Sequence, residues 1–444
     1  MLSSGHGFVR PCRTRNAPLT ITPFHVAGYV FLLAGLVLAV YHGLEQFKMV
    51  PVVSPLNGSW ISWSHIHYVT IGAFTQLLFG MLPQLTARKL DRPGPPSWYT
   101  WLNFVGLNAA FLTLWYGRGW GNVLAFDLGL YVIWLLVLGL VVYLMKQVMQ
   151  SDGRAWDATM GLYLLSPIIF LVGITYAYGL YAHLWTVPGG WLGLREGHVH
   201  ANGWGFLAFA VIGTLYDLFP RIMRTDLHSE RLKNYSFWLF ALGIGPLITG
   251  PWLGMGRSVT FTGLLLYAGG FALYLYNMVQ TYRSGTSSGI GLSVLVAQFW
   301  ILAPAGFAPF VLFGVDWVKP AWIEQGALHF FFMGWALPIA LAGILLYFRN
   351  LTCIVDDRLG IKERADAADL LPDGVVPDVL PKWLVGVWNV AILLVGFGFF
   401  YQDAAWSVYL FGSGYTVLSV IWAYELVLAV RLRRSVRAAA AAEA

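Results

Sequence analysis

The stretch EGHVHANGWGFLAFAVIGTLYDLFPR, residues 196–221, carries two histidines one residue apart, His198 and His200, at the head of a long apolar run. On a helix successive residues turn by about 100°, so these two rings leave the axis about 200° apart. They address two different objects, one on each side of the same helix. Ionisable side chains inside a membrane are costly and usually functional. Two flat, bulky ligands clamped on opposite faces are the simplest functional reading, and two haems have that shape. A pair of histidines hydrogen-bonded to neighbouring helices is the structural alternative.

The rest of the chain sets this run in a membrane. Of 444 residues, 58% are apolar and 11% charged, and the mean hydropathy is +0.65. That composition excludes a soluble enzyme of this size and predicts an all-α, polytopic membrane protein. The 21 Trp and 22 Tyr suit the two membrane interfaces. The net charge of +6 is spread over short loops, so membrane lipid is an expected partner and nucleic acid is not. Cys12 and Cys353 are the only cysteines, too few for a disulfide framework or an iron–sulfur site. No Cys-x-x-Cys-His motif occurs, which excludes covalently attached haem. The basic N-terminal stretch leads into a run read as a retained first helix rather than a signal peptide.

About twelve spans are expected in one transmembrane domain. Ten lie within residues 24–348, a polar connection fills 349–382, and two more lie within 383–430. Residues 356–381 of the connection hold seven acidic and three basic residues with three prolines, the pattern of a solvent loop. With the N-terminus inside, 22 of the 27 Lys and Arg fall on the cytoplasmic side, leaving outside only Lys48, Arg118, Arg195, Arg257 and Lys319. That asymmetry predicts both termini in the cytoplasm and a multi-pass protein of the inner membrane. It also gathers His42, His65, His67, His183, His198, His200 and His329 toward the outer end of their helices.

An internal repeat orders these histidines. His65-Ile66-His67 on the second span is followed by Gly72 and Gly80, five and thirteen residues after His67. Gly205 and Gly213 stand at the same offsets from His200 on the sixth span, as do Gly334 and Ala342 from His329 on the tenth. The histidines are 133 residues apart (67 to 200) and then 129 (200 to 329), four spans each time. Small residues at fixed distances below a histidine admit a flat ligand or another helix close to the backbone.

Twelve spans in three pseudo-repeats of four, with histidines on the second, sixth and tenth, resemble subunit I of the haem–copper oxidases. The C-type oxidases and nitric oxide reductases are the nearest in flavour. His198-Val199-His200 followed by Gly205, Gly213, Tyr216, Pro220 and Arg221 is similar to the family's helix that ligates both haems. The resemblance implies His198 axial to a high-spin haem and His200 axial to a low-spin haem. It implies a second low-spin ligand from the second helix, His67, with His65 the rival. The chain also departs from the family. There the two-haem motif lies on the tenth helix, whereas here the tenth has only His329. Where the family's copper centre places adjacent histidines on the seventh helix, this chain reads Thr249-Gly250-Pro251-Trp252-Leu253. Copper is therefore not expected at the family's usual site, while His42, His65 and His183 stand at a suitable depth for another. The chain also resembles the NnrS-type haem–copper membrane proteins linked with nitric oxide tolerance.

The residues make a haem case of their own. Non-covalent haem b needs axial imidazoles, an apolar pocket, and cations for its propionates. His67 facing His200, and His198 facing His329, are expected to supply the first. Arg118, Arg195 and Arg257, each just beyond a helix end, are candidates for the third. Glu425 is the clearest acid inside a span, as a proton relay or a hydrogen-bonded structural carboxyl. The leading expectation is a redox protein passing electrons through two haems b, with a partner subunit or a cytochrome or quinol donor. The alternatives are a terminal reductase of oxygen or nitric oxide, and a non-catalytic nitric oxide-binding protein.

Overall fold

A computed structural model describes residues 21–46, 48–50, 60–151, 156–182, 186–254, 256–314, 319–343 and 380–442. His183, both cysteines and all but the last residues of the polar connection lie outside the described residues. The described elements are helices, with no strand among them: α1 (Pro23–Gln46), α2 (Trp60–Lys89), α3 (Ser97–Trp120), α4 (Val123–Met149), α5 (Ala158–Ala182) and α6 (Gly190–Ile222), then α7 (Glu230–Trp252), α8 (Gly256–Ser284), α9 (Gly289–Phe313), α10 (Pro320–Gly343), α11 (Lys382–Phe400) and α12 (Ser407–Ala442). Helices thus occupy the stretches expected to span. Nine of those described, all except α3, α7 and α12, are long and apolar enough to cross a membrane.

Local chemistry sets the boundaries. Pro320 opens α10 at a position whose N–H would be unbonded anyway. Asn122, Ser229 and Ser288 cap α4, α7 and α9 by accepting from Ala125, Leu232 and Gly291 N–H groups. Gly121, with φ at +66°, closes α3 in a left-handed turn. Many large apolar side chains face outward, among them Leu124, Met149, Trp98 and Trp383. Each would cost about 1.5–3 kcal/mol in water relative to an apolar setting, so this surface suits lipid.

α3 packs on α4, α7 on α8 and α11 on α12 as close antiparallel pairs, while α1, α5 and α9 lie against α2, α6 and α10. The last three are the inner helices, and all three change winding at the same place. π-helical turns run over Tyr68–Thr75, Ala201–Leu207 and Phe330–Ala336, beginning at the residue after His67, His200 and His329. Wide turns of this kind often mark functional sites. Within them, a Cβ on Gly72, Gly205 or Gly334 would fall 2.8, 2.3 or 2.5 Å from Phe31, Ile169 or Trp300. The small residues therefore admit the preceding helix (α1, α5 or α9) rather than a flat ligand.

At their histidine-bearing ends the inner helices meet through side chains, with Glu324 of α10 bonded to Arg195 of α6. Toward the opposite end they enclose an apolar cavity of 130 Å³, bordered by Phe74, Leu207 and Ala336 and reaching His25 and Thr214. Beyond it Lys89 of α2 meets Asp157 at 2.9 Å and Asp217 of α6 at 3.2 Å, and Lys233 of α7 meets Asp157 at 3.2 Å. This cluster ties α2, α5, α6 and α7 at one level.

Candidate functional site

Five histidines on the inner helices share one preparation. Each places Nδ1 against a backbone carbonyl: His65 on Gly35 at 3.1 Å, His67 on Trp63 at 2.8 Å, His198 on Gly173 at 2.8 Å, His200 on Leu247 at 2.8 Å and His329 on Gln325 at 2.7 Å. A carbonyl only accepts, so each Nδ1 carries the proton and donates it. Nε2 is left with its lone pair, which is the tautomer a metal-binding imidazole needs, already oriented by its second nitrogen. Leu247 has a local reason to serve His200. Pro251, four residues on, has no N–H, so the Leu247 carbonyl lacks its usual helical donor.

The rings come together across helices. His65 and His329 lie with centroids 6.2 Å apart and planes within 21°. Two imidazoles bonded through Nε2 at about 2 Å to opposite sides of one metal put their ring centres about 6.3 Å apart. His329 is stacked on Phe399 at 4.1 Å, and His67 on Trp63 at 4.0 Å, which fixes both rings. His42 of α1 stands 6.5 Å from His65 and has Glu45 at 3.5 Å from its Nδ1. His67 and His198 are near enough for their charges to interact. His329 thus has the His65 ring beside it, and His200 sets its Nδ1 on the Leu247 carbonyl of α7.

The remaining candidates divide. Arg118 of α3 is within charge range of His67. Arg195 is engaged by Glu196 at 2.7 Å and by both oxygens of Glu324 on α10, at 2.9 and 2.7 Å. Arg257 is exposed at the start of α8, and Glu425 is buried in α12. Among the described residues no three or more His, Cys, Asp or Glu converge to hold a metal ion. The His65–His329 contact involves two rings only.

Sequence reasoning missed Glu324, although it stands 129 residues after Arg195, the same repeat distance as His200 to His329. It also missed Asn202, one turn after His198, whose Nδ2 lies 3.2 Å from both nitrogens of that ring. At the other end of the bundle Asp157, just before α5, ties several helices through Lys89 and Lys233. Burial alone would raise its pKa, but Lys89, the Met160 N–H and Lys233 together hold it below the ordinary carboxylate value.

No protein-family model matches the chain. Among curated proteins, the cbb3-type cytochrome c oxidase subunit CcoN1 of Stutzerimonas stutzeri is 37% identical over 79 residues, 16% of this chain and 17% of that protein. A bacteroid cytochrome c oxidase subunit 1 homolog of Bradyrhizobium diazoefficiens is 31% identical over 123 residues, 25% and 22% of the two chains. The cytochrome c oxidase subunit 1 homolog of Azorhizobium caulinodans is 24% identical over 288 residues, 55% and 48%. This chain is similar to cytochrome c oxidase subunit 1. The likeness spans about half the length, or less, of the relatives it matches. It supports the resemblance to haem–copper oxidase subunit I and a membrane redox protein of that kind.

Proposed function

We propose that the chain is a membrane haem b protein that carries electrons, with the iron held between His65 and His329. The observation that carries this is the pair itself: two rings 6.2 Å apart, nearly parallel, each with Nδ1–H committed to a carbonyl and Nε2 left to bind. The surroundings are aromatic, with a cation near. Phe399 stacks on His329, Phe74 and Phe332 meet at 6.0 Å between α2 and α10, and Arg118 lies on the histidine side for a propionate. Arg195 suits that task less, because two carboxylates already hold it. When bound, haem supplies a reversible one-electron carrier. The protein's part is to fix both imidazoles, keep them neutral and exclude water from the axis.

This reading includes twelve spans in three units of four, both termini in the cytoplasm, and a partner subunit or a cytochrome or quinol as donor. The common winding change after His67, His200 and His329 supports the repeat. Reduction of oxygen or nitric oxide, or nitric oxide binding as in NnrS-type proteins, needs an iron with one open position. Paired rings fill both positions, which favours electron transfer. The test is haem content by pyridine haemochrome on purified protein. His65→Ala and His329→Ala should each remove the same haem, and unchanged content in both variants would refute the proposal.

A further inference from the structure

The 130 Å³ cavity between the inner helices lies apart from the histidines and is lined from α1, α2, α6, α9 and α10. Phe74, Leu207 and Ala336 border it, each at or next to the last residue of a π-helical turn. Phe74 and Met81, both on its wall, stand seven and fourteen residues after His67. At 1.5 Å per residue the cavity is therefore about 10–21 Å deeper than that ring. Lys89 of the charge cluster is eight residues further on. With the histidines toward the outer side of a hydrocarbon layer about 30 Å thick, this is the depth of the cytoplasmic leaflet's chains.

The walls offer little to a polar occupant. His25, Tyr29 and Thr214 are the polar side chains among the lining residues. His25 takes the Thr22 N–H on its Nδ1 at 3.1 Å, and Thr214 gives its hydroxyl to the Ala210 carbonyl at 2.7 Å. Tyr29 too has a partner. A buried water needs two to four polar partners, whereas an apolar cavity of about 150 Å³ can stay dry and take up benzene. The occupant that fits is apolar.

Its source follows from the mouth. Val26 lines the cavity and is 59% exposed. It begins the stripe Val26, Val30, Leu33, Val37 and Val40, which α1 turns outward. An apolar stripe of that kind on a membrane protein faces lipid. The cavity thus meets the lipid-facing surface at one side chain, and acyl chains are the most abundant apolar groups there.

We propose that the cavity takes up the end of an acyl chain from a phospholipid of the cytoplasmic leaflet. The chain enters beside Val26 and ends against Phe74, Leu207 and Ala336. It fills the centre of the bundle between the charge cluster and the histidines, and keeps cytoplasmic water out of that space. The site needs no metal or haem, so it stands independently of the reading of His65 and His329.

The test is photolabelling of the full chain in bilayers of a phosphatidylcholine with a diazirine near the end of one acyl chain, with adducts mapped by peptide mass spectrometry. Val30 and Leu33 face outward and should be labelled whatever fills the cavity. Leu78 and Val211, on the walls, should be labelled too. Ala340→Phe fills the cavity from α10 and should abolish the wall adducts while sparing Val30 and Leu33. Val26→Trp should do the same from the lipid side, and its outward position keeps the test valid if Ala340→Phe misfolds. Met81 reports water: it should resist peroxide while the exposed Met149 is oxidised. The inference is overturned if adducts are confined to Val30 and Leu33, if wall adducts survive both variants, or if Met81 oxidises as readily as Met149. Xenon binding in the bilayer with the walls unlabelled would assign the space to a small free molecule, and would overturn it as well.

Discussion

Asp157→Asn isolates the charge cluster that ties four helices at the end away from the histidines. The asparagine keeps the shape of the side chain and its bond from the Met160 N–H, 2.9 Å from Oδ1, so the start of α5 stays capped. What disappears is the negative charge at Oδ2, 2.9 Å from Lys89 and 3.2 Å from Lys233. Lys233 is only 4% exposed, so its ammonium has little water to turn to. Removing one partner of a buried pair costs roughly 3–5 kcal/mol. Here Lys89 keeps Asp217 and Lys233 keeps Glu230, which brings the expected loss to about 1–3 kcal/mol. Asp157→Ala should lose about 1 kcal/mol more, because the cap goes too. The assay is tryptophan-fluorescence thermal unfolding in detergent, at one scan rate because such unfolding is commonly irreversible. The pH dependence has a definite sign. A carboxyl held below its ordinary value stabilises the fold above that value, and the contribution fades as pH falls through the folded-state value. The gap between wild type and Asp157→Asn should be full at pH 7 and shrink in acid below about pH 4. An Asn variant as stable as wild type at pH 7, or a gap that widens in acid, would refute the reasoning.

Three further outcomes are expected. Gly205→Ala drives a methyl into Ile169 Cγ2 and should cost about 1–3 kcal/mol in thermal stability. Adding Ile169→Ala should recover part of that loss, and no recovery would contradict the contact. Arg195→Ala leaves Glu196 and Glu324 facing each other without their cation. It should destabilise the protein more than Arg195→Ala combined with Glu324→Gln does, and equal loss in both would argue against the bridge. Single cysteines at positions 231 and 319 report orientation. An impermeant thiol reagent on intact cells should label position 319 and not 231, and the reverse pattern would invert the topology.

Much of this architecture was legible because apolar length and turn residues act locally. The stretches around Pro23, Trp60, Gly190 and Pro320 read as spans, and helices occupy them. The offsets of five and thirteen from His67, His200 and His329 need only counting, and a winding change begins after each of those histidines. Which ring meets which was not. The angle between His198 and His200 says that they diverge, but not what stands opposite each of them. His200 takes the Leu247 carbonyl because Pro251 leaves that carbonyl without its helical donor, a cause that lies on another helix. The Arg195–Glu324 contact was not legible, because the two residues stand 129 apart in sequence. The winding change after each histidine has no periodicity signal, because every residue around it is apolar or small.

The most direct test of the central claim, that paired histidines hold six-coordinate haem iron, is the carbon monoxide difference spectrum of the dithionite-reduced purified protein. Two imidazoles fill both axial positions of the iron, so a b-type absorption spectrum should change little on adding carbon monoxide, and only slowly. Rapid, stoichiometric carbon monoxide binding by a high-spin haem, or the absence of haem from correctly folded protein, would contradict the account.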